Sequence, residues 1–212
     1  MMLHCKKLTC VHEDRILFKD LSFTANPGMI VQVEGLNGVG KTSLFRVIIG
    51  LSTPYAGDIF WHGKSISTVR DSFHQQLLYI GHKTGIKPEL TALENLQFFQ
   101  AMHASHLHLN LWDILENVGL AGYEDITTSQ LSAGQQRRVA LARLWLSDCP
   151  LWVLDEPFSA IDKSGIAVLE ALFIKHAQNG GIVLLTTHQD LTIDDSLLSK
   201  IILTKTIGNA YV

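Results

Sequence analysis

Residues 35–42 read Gly35-Leu36-Asn37-Gly38-Val39-Gly40-Lys41-Thr42, a complete G-x-x-x-x-G-K-T phosphate-binding loop. A strand-like apolar segment (residues 29–33) precedes the loop, and a helix-like segment (residues 42–49) follows it. Glycines let backbone N–H groups curl around phosphate oxygens, and the positive end of the following helix faces the same anion. A glycine-rich turn that matched by chance would not need these flanks. The sequence therefore predicts a site for a nucleoside triphosphate.

The polar residues of this loop have distinct expected roles. The Lys41 ammonium should reach the β- and γ-phosphates, and the Thr42 hydroxyl should bind Mg²⁺. The predicted phosphate-binding residues are Gly35, Leu36, Asn37, Gly38, Val39, Gly40, Lys41, Thr42 and Ser43.

The composition narrows the class of protein. One domain is expected for 212 residues. A net charge of −3 gives no electrostatic support for direct nucleic-acid binding. No apolar run approaches the roughly 18 residues that span a bilayer, and residues 1–7 lack the apolar segment of a signal peptide. We therefore expect a chain that is cytosolic by itself and has no nucleic-acid partner.

The apolar pattern predicts an α/β fold with a parallel sheet covered on both faces. Strands are expected at residues 3–11, 16–25, 29–33, 58–61, 77–80, 151–154, 182–186, 200–204 and 206–212. Helices are expected at residues 42–49, 92–104, 111–118, 133–146 and 163–178, and capping-box pairs precede two of them, Thr91 with Glu94 and Ser132 with Gln135. We expect one domain with two lobes, a core of about residues 1–83 and 148–212 and a helical lobe of about residues 84–147.

Two carboxylates stand at the end of a predicted buried strand. Four apolar residues (151–154) run directly into Asp155 and Glu156. Ligands of parallel sheets bind beyond the carboxyl ends of the strands, so this strand should deliver both acids beside the phosphates. Asp155 would lie on the Mg²⁺ side, acting through water, and Glu156 would accept a proton from the attacking water. The alternative is a strand that ends in a solvated acidic turn.

Three further motifs accompany the phosphate loop and the acidic strand. They are Leu131-Ser132-Ala133-Gly134-Gln135 with the helix-like segment behind it (residues 136–143), Ser159-Ala160-Ile161-Asp162, and Thr186-Thr187-His188. Their order and spacing resemble those of ABC-type ATPases over nearly the whole chain. The resemblance implies ATP as the nucleotide and a RecA-like P-loop NTPase core with an antiparallel β lobe and a helical subdomain.

The same resemblance implies a nucleotide shared between two chains. Ser132 should cap a helix whose N–H groups and dipole face an anion. In the family this anion site completes the nucleotide bound to the opposite protomer. Ser132, Gly134 and Gln135 would thus bind ATP across a homodimer, or across a dimer with a related chain, and Asp162 would communicate across that interface.

Three histidines stand at family positions. His188 resembles the switch histidine, a catalytic residue beside Glu156 and Lys41, whose neutral imidazole can donate to the γ-phosphate. His82 replaces the glutamine that contacts Mg²⁺ and water in most members. His12 replaces the aromatic residue that stacks on adenine, and contact with the base and no contact are equally open.

Longer stretches resemble a narrower group. Residues 80–96, 141–146 and 180–189 are similar to the ATPase subunits of bacterial cytochrome c maturation haem exporters. This resemblance implies integral membrane permease subunits as partners and a peripheral position on the cytoplasmic face of the inner membrane. It also implies hydrolysis that powers haem export or release of a haem-bound chaperone. His103, His106 and His108 suggest haem or metal ligands, but the lack of Cys or carboxylate companions at ligand spacing favours a solvated helix end.

Two other functions stay open from the sequence. One is a soluble, non-transport ABC-type ATPase of translation or DNA repair, although such proteins usually carry two nucleotide domains or long coiled-coil insertions. The other is a regulatory module that holds ATP without cleaving it, against which Glu156 and His188 argue.

Overall fold

The computed structural model describes residues 2–103 and 109–204. The strands are β1 (Leu3–His12), β2 (Arg15–Ala25), β3 (Ile30–Glu34), β4 (Ala56–Trp61), β5 (Lys64–Ser65), β6 (Leu77–Ile80), β7 (Leu151–Asp155), β8 (Ile182–Thr186) and β9 (Leu198–Ile202). The helices are α1 (Lys41–Ile48), α2 (Arg70–His74), α3 (Ala92–Met102), α4 (Leu111–Asn117), α5 (Ala133–Ala142) and α6 (Lys163–Gln178). Single 3₁₀ turns occur at Thr128–Gln130 and Arg143–Leu146.

The described chain divides into two compact units. The first comprises residues 2–79, 149–155 and 173–204, and the second comprises the described parts of residues 80–148 together with residues 156–172. None of the described helices has both the length and the hydropathy that a membrane crossing requires.

Two sheets make up most of the first unit. One has four strands in the order β2-β1-β4-β5, with antiparallel pairs throughout, and the other has five in the order β6-β7-β8-β3-β9. In the second sheet β3 pairs in parallel with β8 and β9, and β7 pairs in parallel with β8. Every residue of β7 and β8 is buried, which is typical of strands covered on both faces. The predicted parallel sheet is confirmed.

This strand arrangement brings the chemical motifs to one sheet edge. Because β3, β7 and β8 run in parallel, their carboxyl ends lie on the same side. Gly35 follows β3, Asp155 ends β7, and Thr187 follows β8. Helix α1 fixes the phosphate loop to the core, because its apolar side chains are at most 1 % exposed: Leu44, Phe45, Val47 and Ile48.

The second unit contains the helices predicted between residues 84 and 147. Both capping boxes are confirmed. The Thr91 and Ser132 side chains each accept from the amide three residues on, and their own amides donate to the side chains of Glu94 and Gln135. Helix α5 ends at Ala142 and not at residue 146, because the chain tightens there into the 3₁₀ turn Arg143–Leu146.

Other differences from the predicted elements are small. Strand β9 begins two residues earlier than predicted, and β5 and α2 are too short to leave a periodic pattern in the sequence. The strand predicted at residues 206–212 lies outside the described residues, as do His106 and His108. His103 donates through Nδ1 to the Phe99 carbonyl, 2.9 Å away, and its ring stacks on the Phe99 ring.

Candidate functional site

The phosphate loop leaves β3 and enters α1 through glycines that no other residue could replace without strain. Gly40 is the N-terminal cap of α1 at φ 109°, and a Cβ placed on it would come within 3.0 Å of the Leu17 Cβ. At Gly35 an added Cβ would come within 2.7 Å of the Leu203 carbonyl oxygen. The sequence predicted glycines for close backbone approach, and these two contacts give the local reason.

Lys41 lies inside the curve of the loop. The side chain is buried, and its Nζ donates to the Gly35 carbonyl at 2.6 Å. The same Nζ lies 3.4 Å from Nε2 of His188. Because an ammonium group only donates hydrogen bonds, Nε2 must carry the lone pair there, and the proton of the neutral ring then resides on Nδ1. Lys41 and His188, which are 147 positions apart in the sequence, are thus in contact.

Asp155 is held by two hydroxyl groups. Its Oδ2 accepts from Thr42 at 2.8 Å, and its Oδ1 accepts from Thr186 at 2.7 Å. Asp155 is 2 % exposed and Thr186 is fully buried. The carboxylate is therefore fixed in one orientation, with one oxygen directed at the start of α1.

This pair of oxygen donors fits Mg²⁺. Hard divalent cations prefer hydroxyl and carboxylate oxygens, and Mg²⁺ in nucleotide sites uses one or two such groups together with phosphate oxygens. Thr42 and Asp155 supply these oxygen donors, and their side chains are hydrogen-bonded to each other. His82 offers a nitrogen, which is not a donor that Mg²⁺ favours, and it is exposed in the second unit; a metal role for His82 stays a prediction.

Glu156 has an unusual backbone conformation. It follows Asp155 directly and adopts φ 51°, in the left-handed region, at a cost of roughly 1–2 kcal/mol for a residue with a Cβ. Its carbonyl accepts from the Ser159 amide at 3.1 Å and from the Arg137 guanidinium at 3.0 Å. Strained backbone of this kind persists where surrounding contacts over-determine it, often at functional sites.

The turn after β8 is held by a side chain of the neighbouring strand β3. Gln32 is 2 % exposed, and its side-chain amide donates to the Gln189 carbonyl at 3.4 Å. The Gln189 amide in turn donates to the Thr187 hydroxyl at 3.0 Å. These bonds bracket His188, so its position is set by Gln32, a residue that the sequence reasoning missed. The available signal was an amide side chain inside the apolar strand 30–33.

The serine-capped end of α5 is an exposed helix start. Ser132 accepts from the Gln135 amide at 3.3 Å, and the Ser132 amide donates to the Gln135 side chain at 2.9 Å. The first turn of a helix carries amide groups without intrahelical partners, which suits an anion. A Cβ added to Gly134 would lie 2.8 Å from the Ala160 carbonyl oxygen, so the small residue lets this turn approach the segment that contains Asp162.

A cavity of about 240 Å³ lies beside the phosphate loop in the first unit. Its lining consists of Arg15, Ile16 and Leu17 from β2 and of residues 36–39 from the loop. His12 lies outside this lining and is exposed on the β1–β2 hairpin, paired with Arg15. Arg15 and Ile16 were missed by the sequence reasoning because a charged hairpin turn resembles ordinary solvated surface.

Comparison with known proteins places the chain in a family. The family model described as ABC transporter matches residues 18–159. The chain belongs to the ABC transporter family. As a member of that family it is an ATP-hydrolysing cassette, and its fold is that of the ABC-type P-loop NTPases, as predicted.

Similar proteins cover almost the whole chain. The cytochrome c biogenesis ATP-binding export protein CcmA of Aliivibrio fischeri is 58 % identical over 94 % of this chain and 98 % of its own length. The protein of the same name from Vibrio cholerae is 57 % identical over 94 % of this chain and 97 % of its own length.

Solved structures agree on the fold. An ATP-binding subunit of an ABC transporter superposes with a TM-score of 0.83 at 26 % identity, covering 96 % of this chain and 86 % of that subunit. The dimeric cassette MJ0796 in a post-hydrolysis state with ADP and Pi has a TM-score of 0.74 at 22 % identity, with 88 % of each chain covered.

Proposed function

We propose that this cassette is the ATP-hydrolysing subunit of an exporter that serves cytochrome c biogenesis, and that it powers haem export or release of a haem-bound chaperone. The observation that carries this proposal is the 58 % identity to an export protein of cytochrome c biogenesis over 94 % of the chain. The proposed partners are integral membrane permease subunits, with the cassette bound peripherally at the cytoplasmic face of the inner membrane. Residues 84–147 would form its helical subdomain.

The proposed mechanism begins with the phosphates of ATP. The amides of residues 38–43 and the Lys41 ammonium would bind the β- and γ-phosphates, since Lys41 already lies inside the loop. Thr42 and Asp155 would hold Mg²⁺, which neutralises charge on these phosphates when it is bound. The geometry that supports this assignment is the 2.8 Å bond between the two side chains.

Proton transfer would fall to Glu156. Its carboxylate would accept the proton of the water that attacks the γ-phosphorus, which is general-base catalysis. His188 would contact the γ-phosphate, and its ring would keep an orientation set by the turn that Gln32 anchors. The hydrolytic groups are therefore present in the chain, which disfavours a module that only holds ATP.

A second cassette would complete the site. The chain holds one phosphate loop and one serine-capped signature helix, and we propose that two copies bind ATP between the loop of one and Ser132, Gly134 and Gln135 of the other. The exposed, amide-rich start of α5 supports this role. The adenine base of ATP would lie over the cavity lined by Arg15 and Ile16.

The test is to express the tagged cassette in its native cells and to purify it from their membranes. We expect membrane subunits to co-purify with the tagged chain and the assembled complex to hydrolyse ATP, with stimulation by haem or by a haem-loaded chaperone. Lys41→Ala should remove turnover without removing the co-purifying subunits. Recovery of the cassette with ribosomes or DNA, and without membrane proteins, would instead support the soluble ATPase.

A further inference from the structure

Arg137 is a buried arginine in the middle of α5 that the mechanism above does not use. It is 5 % exposed, and its guanidinium donates to the Gly81 carbonyl at 2.6 Å and to the Glu156 carbonyl at 3.0 Å. All three residues belong to the second unit. A planar guanidinium has a rigid fork of donors, so it fixes two acceptors relative to one another. Arg137 thereby holds two separate stretches of main chain against one helix.

Both acceptors adjoin residues of the proposed reaction. Gly81 immediately precedes His82, and Glu156 is the proposed base. The left-handed φ of 51° at Glu156 needs contacts that hold it, and its carbonyl receives two, one from Arg137 and one from the Ser159 amide. Because the backbone conformation sets the direction in which the side chain leaves the main chain, these two bonds help to position the carboxylate.

A second arginine of the same helix region reinforces this connection. Arg143 donates to the Thr84 carbonyl and, at 2.9 Å, to the Ala140 carbonyl. Burial, and then the nearby charge of Arg137, lowers the pKa of Arg143 to about 10. Residues 81–84 are thus bonded at one end to α5, through Arg137, and at the other end to the 3₁₀ turn that follows α5, through Arg143, with His82 between the two bonds.

Ser132 caps the start of helix α5, and Arg137 lies five residues after Ser132 in the same helix. A helix is stiff over so short a distance, so a shift of its first turn moves Arg137 as well. We propose that Arg137 is a positioning residue that makes the geometry of Glu156 and of the His82 loop depend on the position of α5. A nucleotide engaged at the Ser132 end of the helix then sets the hydrolytic competence of that protomer's own base. This inference rests on the proposed function, from which it takes the shared nucleotide and the role of Glu156.

The experiment compares Arg137→Met with Gln136→Met in the assembled transporter. Gln136 is the matched control, because it also donates to two main-chain carbonyls, those of Thr128 at 2.9 Å and Leu131 at 3.1 Å, but touches neither Gly81 nor Glu156. We expect Arg137→Met to lower kcat about tenfold or more, the effect of losing a charged hydrogen bond, while KM for ATP changes less than about threefold. Gln136→Met should keep the wild-type kcat. An equal loss of kcat in both variants would overturn the proposal, because it would indicate a general defect of α5.

Dimer trapping separates this inference from the proposed function. Glu156→Gln should trap an ATP-bound dimer, detected by size-exclusion chromatography, and the double variant Glu156→Gln/Arg137→Met should trap it equally well. If Glu156→Gln traps no dimer, the proposed function itself fails. If the dimer forms but folded Arg137→Met retains the wild-type kcat, only the positioning role is overturned.

Arg137→Lys decides the matter if the methionine variant does not fold. Lysine keeps the positive charge, but a single ammonium lacks the fork that spans both carbonyls. A folded lysine variant should therefore lose kcat with little change in KM, and a wild-type kcat in it would overturn the proposal.

Discussion

His176, near the end of α6, should make the protein lose stability as the pH falls below 6.5. Its ring stacks on the Trp152 indole, with centroids 3.7 Å apart and planes 8° from parallel. Nε2 is buried without a partner among the described residues, and the main chain of Pro150 bonds to the ring. Burial lowers the pKa of His176 from 6.5 to about 4, against a smaller opposing effect of the Pro150 bond.

The sign and size of the effect follow from proton linkage. Because the pKa is lower in the folded state, the unfolded state binds the proton more tightly. The stabilisation is fully present above pH 6.5 and is lost as the pH falls towards 4. With pKa values of 6.5 and about 4, the free energy of unfolding should fall by about 2 kcal/mol between pH 7.5 and pH 5 from this group alone.

The assay is urea unfolding of wild-type protein, His176→Phe and His12→Gln at the two pH values. Phenylalanine retains an aromatic ring against Trp152 but cannot titrate, so this variant should lose about 2 kcal/mol less than wild type between pH 7.5 and pH 5. His12→Gln is the control for loss of a histidine that lies outside the Trp152 contact and is exposed. If His176→Phe and wild type lost equal stability over this interval, the reasoning from burial would be refuted.

Three further variants test the candidate site. Lys41→Ala should abolish productive ATP binding, measured by nucleotide titration, because it removes the ammonium inside the loop; unchanged affinity and turnover would contradict the phosphate-loop assignment. Thr186→Val should weaken Mg²⁺ binding to the ATP complex and lower the free energy of unfolding by about 1.5–3 kcal/mol, since it deletes a buried bond to a carboxylate; calorimetric titration and urea unfolding measure both, and unaltered values would exclude an orienting role. Gly134→Ala should cost about 1–3 kcal/mol of stability, because its Cβ would press on the Ala160 carbonyl; a melting temperature equal to that of wild type would show that the turn yields freely.

The sequence predicted the core of this fold because its strongest signals are local. Strands β6 and β8 and helix α6 have their predicted bounds, since each is a continuous apolar or periodic run limited by glycine, proline or polar residues. The capping boxes before α3 and α5 were equally visible, because both partners of each box lie within four residues of one another. In contrast, β5 and α2 contain two and five residues, too few for a period to appear.

The residues of the candidate site also differ in whether a local sequence signal identifies them. The glycines, Lys41, Asp155 and Glu156 could be named from the sequence because a motif spacing identifies them. Thr186 and Gln32 could not, because their roles depend on which strands are neighbours: Thr186 faces Asp155 only because β8 pairs with β7. The cavity lining could not be named from the sequence either, since Arg15 lines the cavity and His12 does not, although the two residues pair across the β1–β2 hairpin.

Arg137 and His176 show how the surroundings give a residue its properties. Two consecutive arginines, Arg137 and Arg138, follow the signature motif and Gln136. Nothing in that pattern distinguishes a solvated charge from one that binds the carbonyls of Gly81 and Glu156. The strained φ of Glu156 has the same origin, because an isolated chain would relax to the right-handed region. A motif therefore identifies the reacting group, whereas its orientation is imposed by a residue elsewhere in the chain. A variant that spares every motif residue can consequently remove turnover, and kcat measured apart from KM is the quantity that would reveal it.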